Sequence, residues 1–559
     1  MQRTCANSWC RQFFEITDDD LKFYENVSPI FGGKKYVIPP PDTCPQCRFR
    51  QRLQWRPESH LFKRRSDFSG KQILSFLPAD APCKVISPEE WWSESWNPLE
   101  YGQEIDFKRP FFEQFGDLLR NVPMISLSIG GQNENSDYLN SASWLKNCYL
   151  IAGANHDEDC YYGNFVNYCK SCVDCNFVDH CELLYDCIDC THCYNLRYSQ
   201  QCSNCSDSAF LFACRGCQNC FGCVNAVNKQ CMFLNEQLSK EEYGRRVNAL
   251  SLHSRKHTQE AMLFFLAHRL KFPHKYMMGE MNENVTGDGI LRSKNAFECF
   301  DVSDAEDIKY CGWFHQAKNC MDCYAWGLPA ENSYFNTECG DRGNHVLFSV
   351  LTYNGSDVFY SVHIRSCKQV FGCISLRHTE YCILNKQYTE EEYHRLSALL
   401  SEHMHATGEW GKFFPALVCP FAYNQTIAQD YFPITREEAD NMGVRWGEDL
   451  EQHVLPTQTA VPDSIRDVDE SICEEVFSCA ETGLPFKITP QEFKFYKSND
   501  LPLPDKAFFT RHLSRLRRRN PKKLWNRECA KCHEPIATSY SPERPEIVYC
   551  EECYLKEVY

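Results

Sequence analysis

Residues 169–193 read CKSCVDCNFVDHCELLYDCIDCTHC, and every gap between successive cysteines in this stretch is a multiple of three. The stretch belongs to a longer pattern. Cys160, Cys175, Cys190, Cys205 and Cys220 recur fifteen residues apart, as do Cys172, Cys187, Cys202 and Cys217. A third column at the same interval holds Ile151, Val166, Cys181, Leu196, Leu211 and Ala226. A short fixed period with the same residue type in each copy marks a solenoid, whose equivalent side chains stack from coil to coil at about 4.8 Å. The expected coil is fifteen residues long. Strands alternate with period two, so an every-third pattern requires corners that reset the phase within each coil.

Three other readings of these thiols compete with a buried ladder. Cys214, Cys217, Cys220 and Cys223 form C-x-x-C-x-x-C-x-x-C. The ferredoxin run needs a longer last gap and a following proline, and a cluster leaves the fifteen-residue columns unexplained. Disulfides between coils are geometrically feasible, because the coil spacing lies inside the usual Cα window of about 4.4–6.8 Å. They call for an oxidising compartment. The first residues, MQRTCANSWCRQFFEITDDD, lack the apolar core of a secretion signal, so a cytoplasmic location is expected. The longest notable apolar run, AMLFFLA at 261–267, is too short to span a bilayer, and no membrane association is expected. A ladder of reduced thiols packing a narrow core, where Leu is too large, is the expectation that remains; additional zinc inside the rod is the alternative.

The rod is duplicated. Cys148, Cys160, Cys169 and Cys172 match Cys299, Cys311, Cys320 and Cys323 gap for gap, and FGCVNAVNKQCMFLNEQLSKEEYGRRVNAL at 221–250 matches FGCISLRHTEYCILNKQYTEEEYHRLSALL at 371–400. The second copy keeps fewer cysteines, with Val370 where Cys220 stands. A packing role tolerates such losses and a cluster does not. Ser239 with Glu242, and Thr389 with Glu392, form capping boxes that predict a helix at the end of each copy. The first helix is expected to continue through EAMLFFLAHRL and cover an open rod end.

The two termini are also related. FEITDDDLKFYENV at 14–27 resembles FKITPQEFKFYKSN at 486–499, and RPESHLFKRRS at 56–66 resembles RNPKKLWNREC at 519–529. Cys529, Cys532, Cys550 and Cys553 then fall on Ser66, Ser69, Ser87 and Glu90, while Cys44 and Cys47 fall on Ala507 and Thr510. Two C-x₂-C pairs are tetrahedral zinc ligands with no open position, so the C-terminal set Cys529, Cys532, Cys550 and Cys553 reads as a structural Zn²⁺ site. Cys5, Cys10, Cys44 and Cys47 read as a second, N-terminal one. The C-terminal module retains only Cys473 and Cys479 in the region of the first site.

The chain has 559 residues, 24% charged and 43% hydrophobic, with a net charge of −16, which excludes a wholly basic nucleic-acid binder. Two basic runs stand out against that acidity. Arg48, Arg50 and Arg52 lie in one; Arg511, Arg515, Arg517, Arg518, Arg519, Lys522 and Lys523 lie in the other, with Trp55 and Trp525 interleaved. They read either as RNA contacts or as solvated helix faces paired with the acidic remainder. No P-loop, dinucleotide fingerprint, H-E-x-x-H or G-x-S-x-G occurs, and no enzyme activity is expected.

With PPPDTCPQCR, RPFFEQFGDLL at 109–119, CQNCFGCVN, AYNQTIAQDYFP at 422–433, RNPKKLW and RPEIVYCEECY, the chain resembles a bacterial family of cysteine-rich proteins. The family has zinc-ribbon-like terminal modules and a cysteine-ladder core, and is encoded by reduced-genome bacteria. The resemblance spans nearly the whole length. It implies architecture, since no activity is assigned to that family. The family carries cysteines where this chain has Ser66, Ser69, Ser87 and Glu90, so no zinc beyond that of Cys5, Cys10, Cys44 and Cys47 is expected in the N-terminal module.

The expected fold is multidomain and mainly β: a duplicated cysteine-rich β-solenoid of fifteen-residue coils with capping helices, flanked by two zinc-ribbon-like α+β modules. The expected divisions are an N-terminal module at 1–100, a helical connector at 101–144 and a first solenoid at 145–236. A capping helix and linker follow at 237–284, a second solenoid at 285–387 and its capping helix at 388–412. A linker at 413–470 leads to a C-terminal module at 471–559. The expected role is a zinc-binding scaffold that presents a solenoid face to a macromolecular partner. RNA or ribosome association through the basic runs is the alternative, and thiol or metal buffering a third.

Overall fold

The computed structural model describes residues 1–58, 60–325, 327–448 and 460–559. Residues 449–459 of the expected 413–470 linker lie outside that set. The middle of the chain is a pair of parallel β-solenoids, and one correction to the sequence reading defines them. Val166 pairs with Val178 and Val178 with Cys190, so each coil is twelve residues long, not fifteen.

The every-third spacing explains both the coil and the mistaken period. One residue in three points inward, and four such residues complete a turn. Leu184, Cys187, Cys190 and Cys193 fill the interior of one coil; Leu196, Ser199, Cys202 and Cys205 fill the next, all buried. The residue before each inward position has a left-handed backbone: φ is 61° at Leu183, 50° at Asp186, 54° at Asp189 and 53° at His192. These residues are the corners. Left-handed backbone costs roughly 1–2 kcal/mol for an ordinary L-residue, and the hydrogen-bond ladder between coils offsets it. The Tyr185 N–H donates to Leu196 O in one neighbouring coil at 2.9 Å, and the Asp186 N–H to Val173 O in the other at 3.1 Å. A step of fifteen residues therefore climbs one coil and moves one side around it. The cysteine columns seen in the sequence are diagonals on the rod.

Four side chains meeting on one axis leave room for about one Leu per coil, which is why the others are thiols or smaller. The second rod meets the same limit with serines as well as thiols, as the first does at Ser199 and Ser208. Ser349 and Ser361 stand inward, fully buried, and each hydroxyl donates to a backbone carbonyl two residues back, at 2.9 and 2.8 Å. Its coils are less uniform. Glu306 pairs with Lys318 twelve residues on, but Ala317 pairs with Ala330 and Ala330 with Gly343, thirteen apart.

Each rod closes with an antiparallel return, Met232 against Gln237 and Cys382 against Gln387, followed by a helix. Thr389 and Glu392 make both capping-box bonds, whereas Ser239 shows only the bond accepted from Glu242 N–H. The first helix does not run on as expected. It stops at Ala249, and a second helix, Arg255–Arg269, buries Phe265 against Phe210 on the rod's flank. The rods lie side by side, with the rings of Phe165 and Trp313 3.8 Å apart between centroids.

The terminal modules dock crosswise. The N-terminal module lays its helix Pro45–Leu53 on the second rod, and the C-terminal module lays its helix Phe508–Arg518 on the first. The C-terminal module also adds strand Ile547–Tyr549 to Pro273–Lys275, the segment joining the two rods. No helix among the described residues is long and apolar enough to cross a membrane.

Candidate metal centres

Each terminal module brings four cysteines together. The sulfurs of Cys5, Cys10, Cys44 and Cys47 lie within 4.8 Å of one another, and so do those of Cys529, Cys532, Cys550 and Cys553. The local folds are alike. In each, two cysteines sit at the turn of a hairpin: Gln2–Thr4 with Phe13–Glu15, and Trp525–Glu528 with Pro535–Thr538. A third cysteine, Cys44 or Cys550, is the N-cap of a helix, where the backbone dipoles favour a thiolate. The Cys44 N–H points to Cys5 Sγ at 3.4 Å and the Cys550 N–H to Cys529 Sγ at 3.2 Å.

The spacing tests what such a group can hold. A tetrahedron with Zn–S bonds of about 2.3 Å has sulfur–sulfur edges of roughly 3.8 Å. Cys5–Cys47, Cys10–Cys44 and Cys532–Cys550 are each 3.7 Å apart. The residues present fit a tetrahedral ion held by four thiolates.

Each module also has a counterpart, without four cysteines, of the place where the other module holds its group. Where the C-terminal module has its four cysteines, the N-terminal module has Ser66, Ser69, Ser87 and Glu90. There the Glu90 carboxylate accepts from Ser66 Oγ at 2.5 Å, from Ser69 N–H at 3.2 Å and from Ser87 N–H at 2.8 Å. An anion at the fourth ligand position draws in donors from the other three, and the knuckle closes without a metal. In the C-terminal module Cys479 takes the place of Cys5, with Thr510 opposite it at 3.5 Å. Cys473 is half-buried and is not part of a four-ligand group.

The rod thiols are arranged differently. Among the described residues no other group of three or more Cys, His, Asp or Glu brings its ligand atoms as close as the two terminal sets do. The rod thiols donate to backbone carbonyls two residues back, as Cys190 does to Ile188 and Cys193 to Thr191, both at 3.3 Å. No disulfide joins any of them. Burial raises the Cys373 thiol well above its ordinary range and pushes Cys382 up to about 12.

The basic runs follow the second of their two readings, pairing with the acidic remainder of the chain, but largely buried rather than solvated. Arg48 Nε and Arg52 Nη1 both reach Asp322 of the second rod, at 2.7 and 2.6 Å, with all three side chains at most 1% exposed. At the matching positions of the other module, Arg511 and Arg515 reach Asp174 of the first rod at 2.9 and 2.8 Å. Arg519 spans both rods, pairing with Asp189 and Asp301, and Lys522 also pairs with Asp301. Arg518 binds Asp186 at 2.6 Å, and Arg50 stacks on Trp9 and Phe432. Only Arg517 and Lys523 of the ten remain exposed. Eight of the ten are thus buried or half-buried against the protein and are not free to form a phosphate-contacting strip. Their charges are spent on the acidic corners of the rods, because a corner Asp is buried once a module covers it and needs a partner. Those corner carboxylates are the residues sequence reasoning missed; a lone Asp among many gave no signal.

No family model and no curated protein matches the chain, so its family resemblance rests on the quoted motifs. Among solved structures it matches one described as an acetyltransferase from Desulfovibrio desulfuricans G20, at 8% identity over 47% of this chain and 70% of that one. The TM-score is 0.09, and the likeness carries no argument.

Proposed function

We propose that the two four-cysteine groups bind structural Zn²⁺ and that the protein is a rigid scaffold offering the open flank of its first rod to a macromolecular partner. The observation carrying the zinc assignment is the all-thiolate donor set at tetrahedral spacing, with no position left for a substrate or water. Structural zinc is worth roughly 10–16 kcal/mol of apparent binding energy in small units, much of it folding energy. Here that energy also holds together the helices that clamp module to rod.

The open flank supports the scaffold reading. Trp144, His156, Tyr168, His180 and His192 occupy one corner column, with ring centroids 6.0, 5.0, 4.8 and 5.0 Å apart in turn. All five are exposed, and neither module covers them. Gly131 ends the ladder: a Cβ there would meet the Trp144 ring at 2.6 Å. The side chains of Lys146, Glu158 and Lys170 run alongside, with Glu158 bridging the two lysines.

Elemental analysis after chelator-free purification tests the metal reading; two zinc ions per chain are expected, and metal-free folded protein would refute it. A photocrosslinking residue at position 168 tests the face. It should capture one recurring partner that the same residue at exposed position 307 does not; equal capture at both sites would remove the flank from the proposal.

A further inference from the structure

Helix Arg255–Arg269 is apolar on two faces. Its inner face lays Phe265 on Phe210 of the first rod, with Thr258 also buried. On its outer face Leu263, Ala267 and Leu270 recur at i, i+4 and i+7, flanked by Phe264 and Leu266, and all five are exposed. Leu263 is 69% and Phe264 56% exposed. Single surface leucines need no explanation, but a continuous apolar stripe along one helix marks an interaction surface. From Leu263 to Leu270 the outward side carries no polar residue, as in a helix that is covered on both faces.

The other half of the chain covers its counterpart from within. The offset that carries 221–250 onto 371–400 carries Leu263 and Phe264 onto Phe413 and Phe414. Those two are buried, and both pack on Trp55 of the N-terminal module. The matching position of the C-terminal module is Arg518, which is engaged with Asp186 instead. Among the described residues, then, the stripe has no cover from its own chain.

We propose that the stripe is the contact between two copies of this chain, their helices lying antiparallel about a twofold axis. Its charges are self-complementary in that arrangement. The register that sets Phe264 against the small Ala267 of the second copy also sets Glu260 opposite its Lys271, and both charged residues are exposed. Sliding the pair by one turn brings Lys256 against Lys271, and a parallel pair sets each charge against its like. The twofold repeats every contact, as a dimer of identical faces requires. The contact is one helix about 22 Å long, smaller than a standard interface, and therefore gives a reversible dimer. Phe210 stands on the corner opposite the Trp144–His192 column, so the dimer leaves that column open. None of these residues belongs to either four-cysteine group, so the dimer stands or falls apart from the metal reading.

Sedimentation velocity of the full zinc-loaded chain over about 1–200 μM tests for this dimer. A reversible monomer–dimer equilibrium is expected. Leu263→Glu changes an exposed side chain; it should leave zinc content and circular dichroism unchanged and weaken the dimer at least about tenfold. Glu260→Lys and Lys271→Glu should each weaken it at least about threefold, because each makes both twofold-related pairs repulsive. Mixing these two single variants should restore association to near the wild-type level, since each then supplies the charge the other lacks. A chain that stays monomeric throughout, a dimer indifferent to Leu263→Glu, or a mixture no tighter than either variant alone would overturn the proposal. So would a monomer that binds phosphatidylglycerol vesicles and loses that binding with Leu263→Glu, which would assign the stripe to a lipid surface.

Discussion

Arg515 Nη1 lies 2.8 Å from the Asp174 carboxylate, and both side chains are buried where the C-terminal module meets the first rod. Arg52 and Asp322 repeat this contact where the N-terminal module meets the second rod. Each module thus crosses to the rod farther from it in sequence, and the crossing rests on buried charge pairs. Removing one partner of such a pair typically costs about 3–5 kcal/mol, because the other is left as an uncompensated buried charge. Asp322 serves two arginines, so Asp322→Ala should cost at least that much and release the N-terminal module to limited proteolysis. Urea unfolding monitored by circular dichroism checks the first effect; an unchanged midpoint would show that the clamp is not needed.

Acid should weaken the fold through histidines buried in the neutral form. Desolvation lowers His363 to about 3 and His60 to about 4, from an ordinary 6.5. A depressed histidine pKa means that the unfolded chain binds more protons. Stability is thus fully present above pH 6.5 and is lost as pH falls toward the folded value, by roughly 1.4 kcal/mol per pH unit for each such group. His363 stacks on Phe76 with the rings 4° from parallel, and its Nε2 has no partner. His363→Phe should keep the packing and reduce the slope of stability against pH between 6.5 and 4. A slope equal to that of the wild type would contradict the assignment.

The rod interior should tolerate small polar side chains and reject bulk. Cys190 shares its coil with Leu184, Cys187 and Cys193. Cys190→Leu puts a second large side chain on that axis and should cost about 1–3 kcal/mol or more. Cys190→Ser should cost less, because Ser199 and Ser208 already point inward in the same rod and donate to carbonyls at 2.9 and 2.7 Å. Thermal unfolding of the pair checks the order, and a more stable leucine variant would reverse it.

The serine–glutamate group invites conversion into a metal site. Ser66, Ser69, Ser87 and Glu90 already converge, and the N-terminal module keeps the hairpin Phe62–Arg65 with Gln72–Ser75 that leads into the knuckle. Replacing all four with cysteine should raise the zinc content from two to three ions per chain. Replacing Cys532 with Ser should lower it to one and loosen the strand that joins the C-terminal module to Pro273–Lys275. Metal analysis of both variants decides the matter, and an unchanged count in the converted knuckle would mean that its backbone does not close around an ion.

The sequence by itself determined which side chains could share an interior. Small residues repeated every third position over many turns declare a narrow rod, while two short cysteine pairs separated by a long loop declare a four-cysteine group that could hold a metal ion, and both survive because they depend on spacing along the chain. Coil length was beyond it: twelve and fifteen are both multiples of three, and only the hydrogen-bonded register of Val178 with Cys190 separates a column from a diagonal. The fate of the arginines was likewise a tertiary matter. Arg48, Arg52, Arg511 and Arg515 look like a solvent-facing basic strip until Asp322 and Asp174, far away in the chain, are brought under them. A cation's role depends on what the fold places opposite it, and that partner lies hundreds of residues beyond the reach of any local pattern.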